Sequence, residues 1–106
     1  MITKMAMGGG ASGYTLGEYI STTWASNSGL TITTQGKAKG VIFSLTYSTY
    51  LFICLLIDGE NNNQMMLNNS ADTSGRRIFT FGSNSISTTD YIADNASYAL
   101  KGYVLY

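Results

Sequence analysis

Tyr50-Leu51-Phe52-Ile53-Cys54-Leu55-Leu56-Ile57 is an unbroken apolar run that stops at Asp58-Gly59. A strand with one wet face alternates apolar and polar residues. This one does not, so both of its faces need cover. The reading assigns Leu51, Ile53, Leu55 and Ile57 to the domain's own core and turns Tyr50, Phe52, Cys54 and Leu56 the other way. Leaving Phe52 and Leu56 in water forgoes about 1.5–3 kcal/mol each. That is large beside a domain stability of about 5–15 kcal/mol. The second face therefore implies a second layer, a partner chain or lipid.

The flanking residues extend the same β reading. Val41-Ile42-Phe43-Ser44-Leu45-Thr46-Tyr47 alternates, with Val41, Phe43, Leu45 and Tyr47 on one face. Ser48-Thr49 is a tight connection from it into the apolar run. Asp58-Gly59 is a hairpin signal, because both residues tolerate the positive φ of such a turn, and Gln64-Met65-Met66-Leu67 reads as the returning strand. Further strands are expected around Glu18–Thr23, Leu30–Thr34, Arg76–Phe81, Ile86–Thr89 and Ser97–Tyr106, with Lys101-Gly102 as a bulge in the last. About seven to eight short strands of this spacing predict an all-β fold. The expected architecture is an antiparallel β-sandwich or a jelly-roll-like variant, over residues 14–106. Residues 1–13, with Gly8-Gly9-Gly10 behind a short apolar tip, read as a flexible N-terminal arm able to reach a neighbour.

Composition narrows the chemistry. Of 106 residues, 44% are apolar and only 11% charged, and the formal net charge is zero. No electrostatic footprint for nucleic acid is visible, and long-range repulsion between copies is removed. The chain has no histidine, so the commonest general base and metal ligand is missing. Its one cysteine, Cys54, cannot form an internal disulfide and reads as a small buried hydrophobe. Lys4 is followed by only Met5-Ala6-Met7 before the glycines, which is not the layout of a signal peptide.

Motif matches are weak. Gly8, Gly10 and Gly13 satisfy G-x-G-x-x-G, but strand and not helix is expected after them. Asp58, Glu60, Asn62 and Gln64 have the spacing of half a calcium loop, without its glycine or closing glutamate. Arg76 and Arg77 would point to opposite faces of a strand. No catalytic residue, cofactor or metal site is therefore expected, and the chain reads as not an enzyme. Trp24 and Tyr91 are candidates for an aromatic platform that stacks on a sugar.

Three covers compete for the second face of 50–57. Residues 40–57 carry no charge and meet the length test for a membrane helix, but the alternation of 41–47 argues against one. An internal layer is the next option. The reading favours a symmetry-related copy, with Tyr50, Phe52, Leu56, Met65 and Met66 as the candidate interface.

Gly36-Lys37-Ala38-Lys39-Gly40-Val41-Ile42, the long strand into Ile57-Asp58-Gly59, and the closing Gly102-Tyr103-Val104-Leu105-Tyr106 together resemble small β-sandwich structural proteins of tailed bacteriophages, of the tail-fibre, tail-tip or head-decoration type. The resemblance covers residues 29–59 and 98–106. It implies a virion component that assembles as a homo-oligomer beside other virion proteins; a trimer is the expected state of this chain. A glycan-binding β-sandwich that touches a host surface is the alternative expectation.

Overall fold

The computed structural model describes residues 4–5, 13–66, 76–90 and 97–106. Ten strands follow in order: β1 (Lys4–Met5), β2 (Tyr14–Trp24), β3 (Leu30–Thr33), β4 (Gly40–Tyr47), β5 (Tyr50–Ile57), β6 (Gln64–Met66), β7 (Arg76–Ile78), β8 (Thr80–Phe81), β9 (Ser85–Thr88) and β10 (Tyr98–Leu105). Antiparallel pairing arranges them in sheets of order β1-β2-β10-β4-β5, β3-β9-β8 and β6-β7. The expected all-β class is what the structure shows, with antiparallel sheets packed on one another.

The core lies between the five-stranded and three-stranded sheets. From the first come Ile20 and Trp24 of β2, Val41, Phe43 and Leu45 of β4, and Leu100 and Val104 of β10. Leu30, Ile32, Phe81 and Ile86 answer from the second. Each run alternates in and out, so every second side chain reaches the core. Trp24 is fully buried, its ring edge-on to Phe79 at 5.8 Å, and its indole N–H donates to the Ser28 carbonyl at 3.0 Å.

The faces of 50–57 are the reverse of the expected assignment. Cys54 and Leu56 are core residues and Phe52 packs against them, whereas Leu51, Ile53 and Leu55 face outward. The turn decides this. A two-residue connection, with Ser48 at φ 55°, places Tyr47 opposite Tyr50, Leu45 opposite Phe52, Phe43 opposite Cys54 and Val41 opposite Leu56. Directly opposed residues share a face of the sheet. Because Val41, Phe43 and Leu45 point inward, so must their partners.

Three other expectations change. Gln64–Met66 does not return along β5; it pairs with β7 in a separate two-stranded sheet. Gly59 at φ 90° and Asn63 at φ 59° bracket a 3-10 turn over Glu60–Asn63, which turns the chain away from β5. The segment 76–81 is split at Phe79, whose side chain is buried and whose N–H donates to the Asn63 carbonyl at 2.9 Å. The bulge is not at Lys101-Gly102, where β10 and β4 stay in register. It lies where Gly17 and Glu18 of β2 meet Val104 between the Tyr19–Tyr103 and Leu16–Leu105 pairs. Within the expected arm, Lys4 and Met5 pair with Thr15 and Tyr14 of the same chain. The glycine motif at Gly8 and Gly10 lies outside the described residues.

Candidate functional site

The outer face of the five-stranded sheet is where the sequence leaves apolar surface. Three rows cross β5, β4, β10 and β2. One runs Leu55, Ile42, Tyr103, Tyr19; the next Ile53, Ser44, Lys101, Ser21; the third Leu51, Thr46, Ala99, Thr23. The β5 side is aliphatic and wet: Leu51 is 60% exposed, Ile53 69% and Leu55 59%. Ile42 and Tyr103 continue this surface inward, and Tyr19, 55% exposed, holds its ring 5.3 Å from that of Tyr103 with a 58° tilt. Lys101 is the charged residue of the three rows. Scattered exposed apolar residues are ordinary, but a contiguous patch marks a contact surface.

β5 is also an edge strand in the sheet order. The hydrogen-bond phase of its backbone can be read from one contact. Asp58 N–H donates to the Lys39 carbonyl at 2.8 Å, in register with the β4–β5 ladder. Antiparallel pairs alternate between bonded and non-bonded. Residues in phase with Asp58, namely Phe52, Cys54 and Leu56, therefore bond to β4. Leu51, Ile53 and Leu55 turn their N–H and C=O groups to the opposite side.

No family model, curated protein or solved structure matches this chain.

The sequence-derived interface set is dispersed. Tyr50 is 63% exposed at the hairpin end, Phe52 is half-buried with its ring 6.1 Å from Tyr98, and Leu56 and Met65 belong to the core. The Met66 side chain lies outside the described residues. The glycan platform fares similarly: Trp24 is sealed in the core and Tyr91 lies outside the described residues. The exposed residues Leu51, Ile53, Leu55, Ile42, Tyr19 and Tyr103 were not singled out as a surface from sequence. Combining the alternation of 41–47 with the length of the Ser48-Thr49 turn identifies the three on β5.

Several polar side chains have structural partners. Asp58 forms an ion pair with Lys37 at 3.2 Å and accepts from Asn63 Nδ2 at 3.3 Å. Lys37 Nζ also donates to the Phe81 carbonyl at 2.6 Å, which ties the loop to the second sheet. Asp90 accepts the Ile78 N–H at 2.8 Å. Arg76 and Arg77 do take opposite faces, exposed and buried respectively. Burial pushes the Cys54 thiol up to about 11, far from the range of a reactive thiolate. Among the described residues no three or more Cys, Asp or Glu gather where they could hold a metal ion. Residues 40–57 form the β4–β5 hairpin, and no described helix is long and apolar enough to cross a membrane.

Proposed function

We propose that this chain is a non-enzymatic structural subunit that packs against copies of itself through the outer face of its five-stranded sheet. The carrying observation is the aliphatic strip of Leu51, Ile53 and Leu55, continued by Ile42. Covering a Leu or Ile side chain is worth about 1.5–3 kcal/mol, so four in one patch supply a useful driving force. The near absence of charge on the face and a formal net charge of zero remove the repulsion that would oppose self-packing. The interface moves from the Phe52/Leu56 face to the opposite one, but the two-faced apolar strand still motivates it. Placement in a bacteriophage particle, beside other virion proteins, rests on the sequence resemblance of residues 29–59 and 98–106 alone. Light scattering tests the reading: a multimer at tens of micromolar is expected, dissolved by a Leu55→Ser, Ile42→Ser double variant that keeps a folded spectrum. A wild-type monomer at that concentration removes it.

A second reading has its own observation. Tyr19 and Tyr103 form an exposed aromatic pair beside the hydroxyls of Ser21 and Ser44, a surface on which a sugar ring can stack. Under this reading the platform is Tyr103 with Tyr19 in place of Trp24 and Tyr91. A glycan array compared with Tyr103→Ala tests it; signals unchanged by the substitution dismiss this platform.

A further inference from the structure

We propose that two copies of this chain join edge to edge through β5, antiparallel, so that their five-stranded sheets continue into one another. This rests on the self-packing reading above and places the first contact between copies along the β5 edge of that sheet, ahead of packing through its face. It starts from the backbone. The phase set by the Asp58–Lys39 hydrogen bond leaves the N–H and C=O groups of Leu51, Ile53 and Leu55 directed away from β4. No other described strand pairs with that side of β5. The three residues that present open backbone are the three whose side chains are most exposed on the strand, apart from Tyr50 at its start.

Natural sheets guard their edges with lysines, prolines, bulges or very short strands. β5 has none of these devices. It is eight residues long, carries no charge and no proline, and pairs with β4 without a register shift from Tyr47–Tyr50 to Gly40–Ile57. The opposite edge is β2, where β1 covers Tyr14 and Thr15, a bulge interrupts the strand at Gly17–Glu18, and Glu18 supplies a charge. β5 is therefore the less guarded of the two edges.

A second copy of the same strand is the occupant that fits. Antiparallel pairing about a twofold axis near Ile53 sets Leu51 of each copy beside Leu55 of the other, which is an isologous contact. The aliphatic strip then doubles in width on one face of the joined sheet. Charge permits it. Lys101 lies two strands inside the edge, on β10, so the two copies of Lys101 stand roughly 24 Å apart at about 4.8 Å per strand. That exceeds the screening length of about 8–10 Å at ordinary ionic strength. Such a unit is twofold, in place of the trimer expected from the sequence.

Amide hydrogen exchange with light scattering on the full chain tests the pairing. The wild type is expected to be a dimer at tens of micromolar. Its Leu51, Ile53 and Leu55 amides should be protected like those of Cys54 and Leu56. Ile53→Pro removes an N–H that β4 does not use, and is expected to give a folded monomer in which the Leu51 and Leu55 amides exchange at least about tenfold faster. A wild-type multimer whose Leu51, Ile53 and Leu55 amides exchange freely overturns edge pairing and leaves face packing standing. A wild-type monomer overturns both. If Ile53→Pro does not fold, the wild-type exchange rates and mass decide between these outcomes.

Discussion

The Tyr106 hydroxyl donates a 2.7 Å hydrogen bond to Glu18 Oε1. The Tyr106 hydroxyl oxygen also accepts the Gln35 N–H at 2.8 Å, so one phenol joins β2 to the turn that follows β3 in the other sheet. The backbone of Tyr106 makes a reciprocal pair with Thr15, at 2.7 and 2.9 Å. Gly17 makes room for the ring, because a Cβ there would overlap it. The β2 bulge at Gly17–Glu18 thus has a purpose: it brings a carboxylate and a bare backbone to the two sides of one tyrosine.

Tyr106→Phe should cost about 1–2 kcal/mol near neutral pH, since it removes a charge-assisted hydrogen bond and leaves the Gln35 N–H to water. The pH dependence distinguishes this from lost packing. Burial first, and the Glu18 hydrogen bond second, raise the Tyr106 pKa above its ordinary value. The folded chain therefore holds the proton where the unfolded chain releases it. This contribution is complete below the ordinary tyrosine pKa of about 10 and is lost as pH rises through the folded value. Thermal melts of both proteins from neutral to strongly alkaline pH check it. The gap between them should close above about pH 10; a gap constant with pH would refute the role given to the hydroxyl.

Gly102 should tolerate no side chain. It sits opposite Phe43 in the β10–β4 ladder, and a Cβ would intrude on the Ile42 carbonyl and lie 2.6 Å from the Phe43 Cα. Both obstacles belong to a central strand pair that cannot shift without moving the core. Gly102→Ala is expected to destabilise by about 2–4 kcal/mol through overpacking. Ala99→Ser, on the exposed face of the same strand, should stay within about 0.5 kcal/mol. Urea unfolding of the two variants checks the contrast.

Much of this fold was legible because strand length and alternation are local properties. Gly40–Tyr47 and Tyr50–Ile57 agree with the sequence reading to within a residue, since Gly and Ser-Thr punctuate them. The orientation of β5 was legible too, but only jointly. Alternation cannot orient a strand that is apolar throughout, and the parity of β4 reaches it only through the two-residue turn. Other features were not local. Nothing in Gln64–Met66 says that its partner is β7 and not β5, and nothing near Trp24 announces that Phe79 will cover it. The outward surface is the hardest of these, because Tyr19, Tyr103, Ile42 and Leu55 come from four strands and meet only through register.

Ser48 is the strained point of the hairpin that orients β5. Its φ of 55° is left-handed, where a side chain costs about 1–2 kcal/mol. Asn27 and Asn63 share that region, but asparagine accepts it more readily. Glycine relieves the strain and returns part of the gain as lost chain entropy. Ser48→Gly should therefore stabilise by about 0.5 kcal/mol, read as a higher urea midpoint at unchanged slope. A lower midpoint would mean that the serine is favoured by something other than backbone geometry.

Cys54 provides the direct check on which side of β5 faces the core. Its thiol is buried and pushed up to about 11 by desolvation, so at pH 8 almost none of it is thiolate. Had the strand faced the other way, Cys54 would be open to water and would react like a free thiol. Labelling by iodoacetamide at pH 8 should be slow in the folded chain and fast in urea. Substitution gives the energetic counterpart. Cys54→Val keeps an apolar group and is expected to cost less than about 1.5 kcal/mol. Cys54→Ser places a hydroxyl in the core, costing about 1–3 kcal/mol if no partner is found. Rapid labelling of the native protein, or a serine variant as stable as valine, would show that β5 does not face inward at this residue.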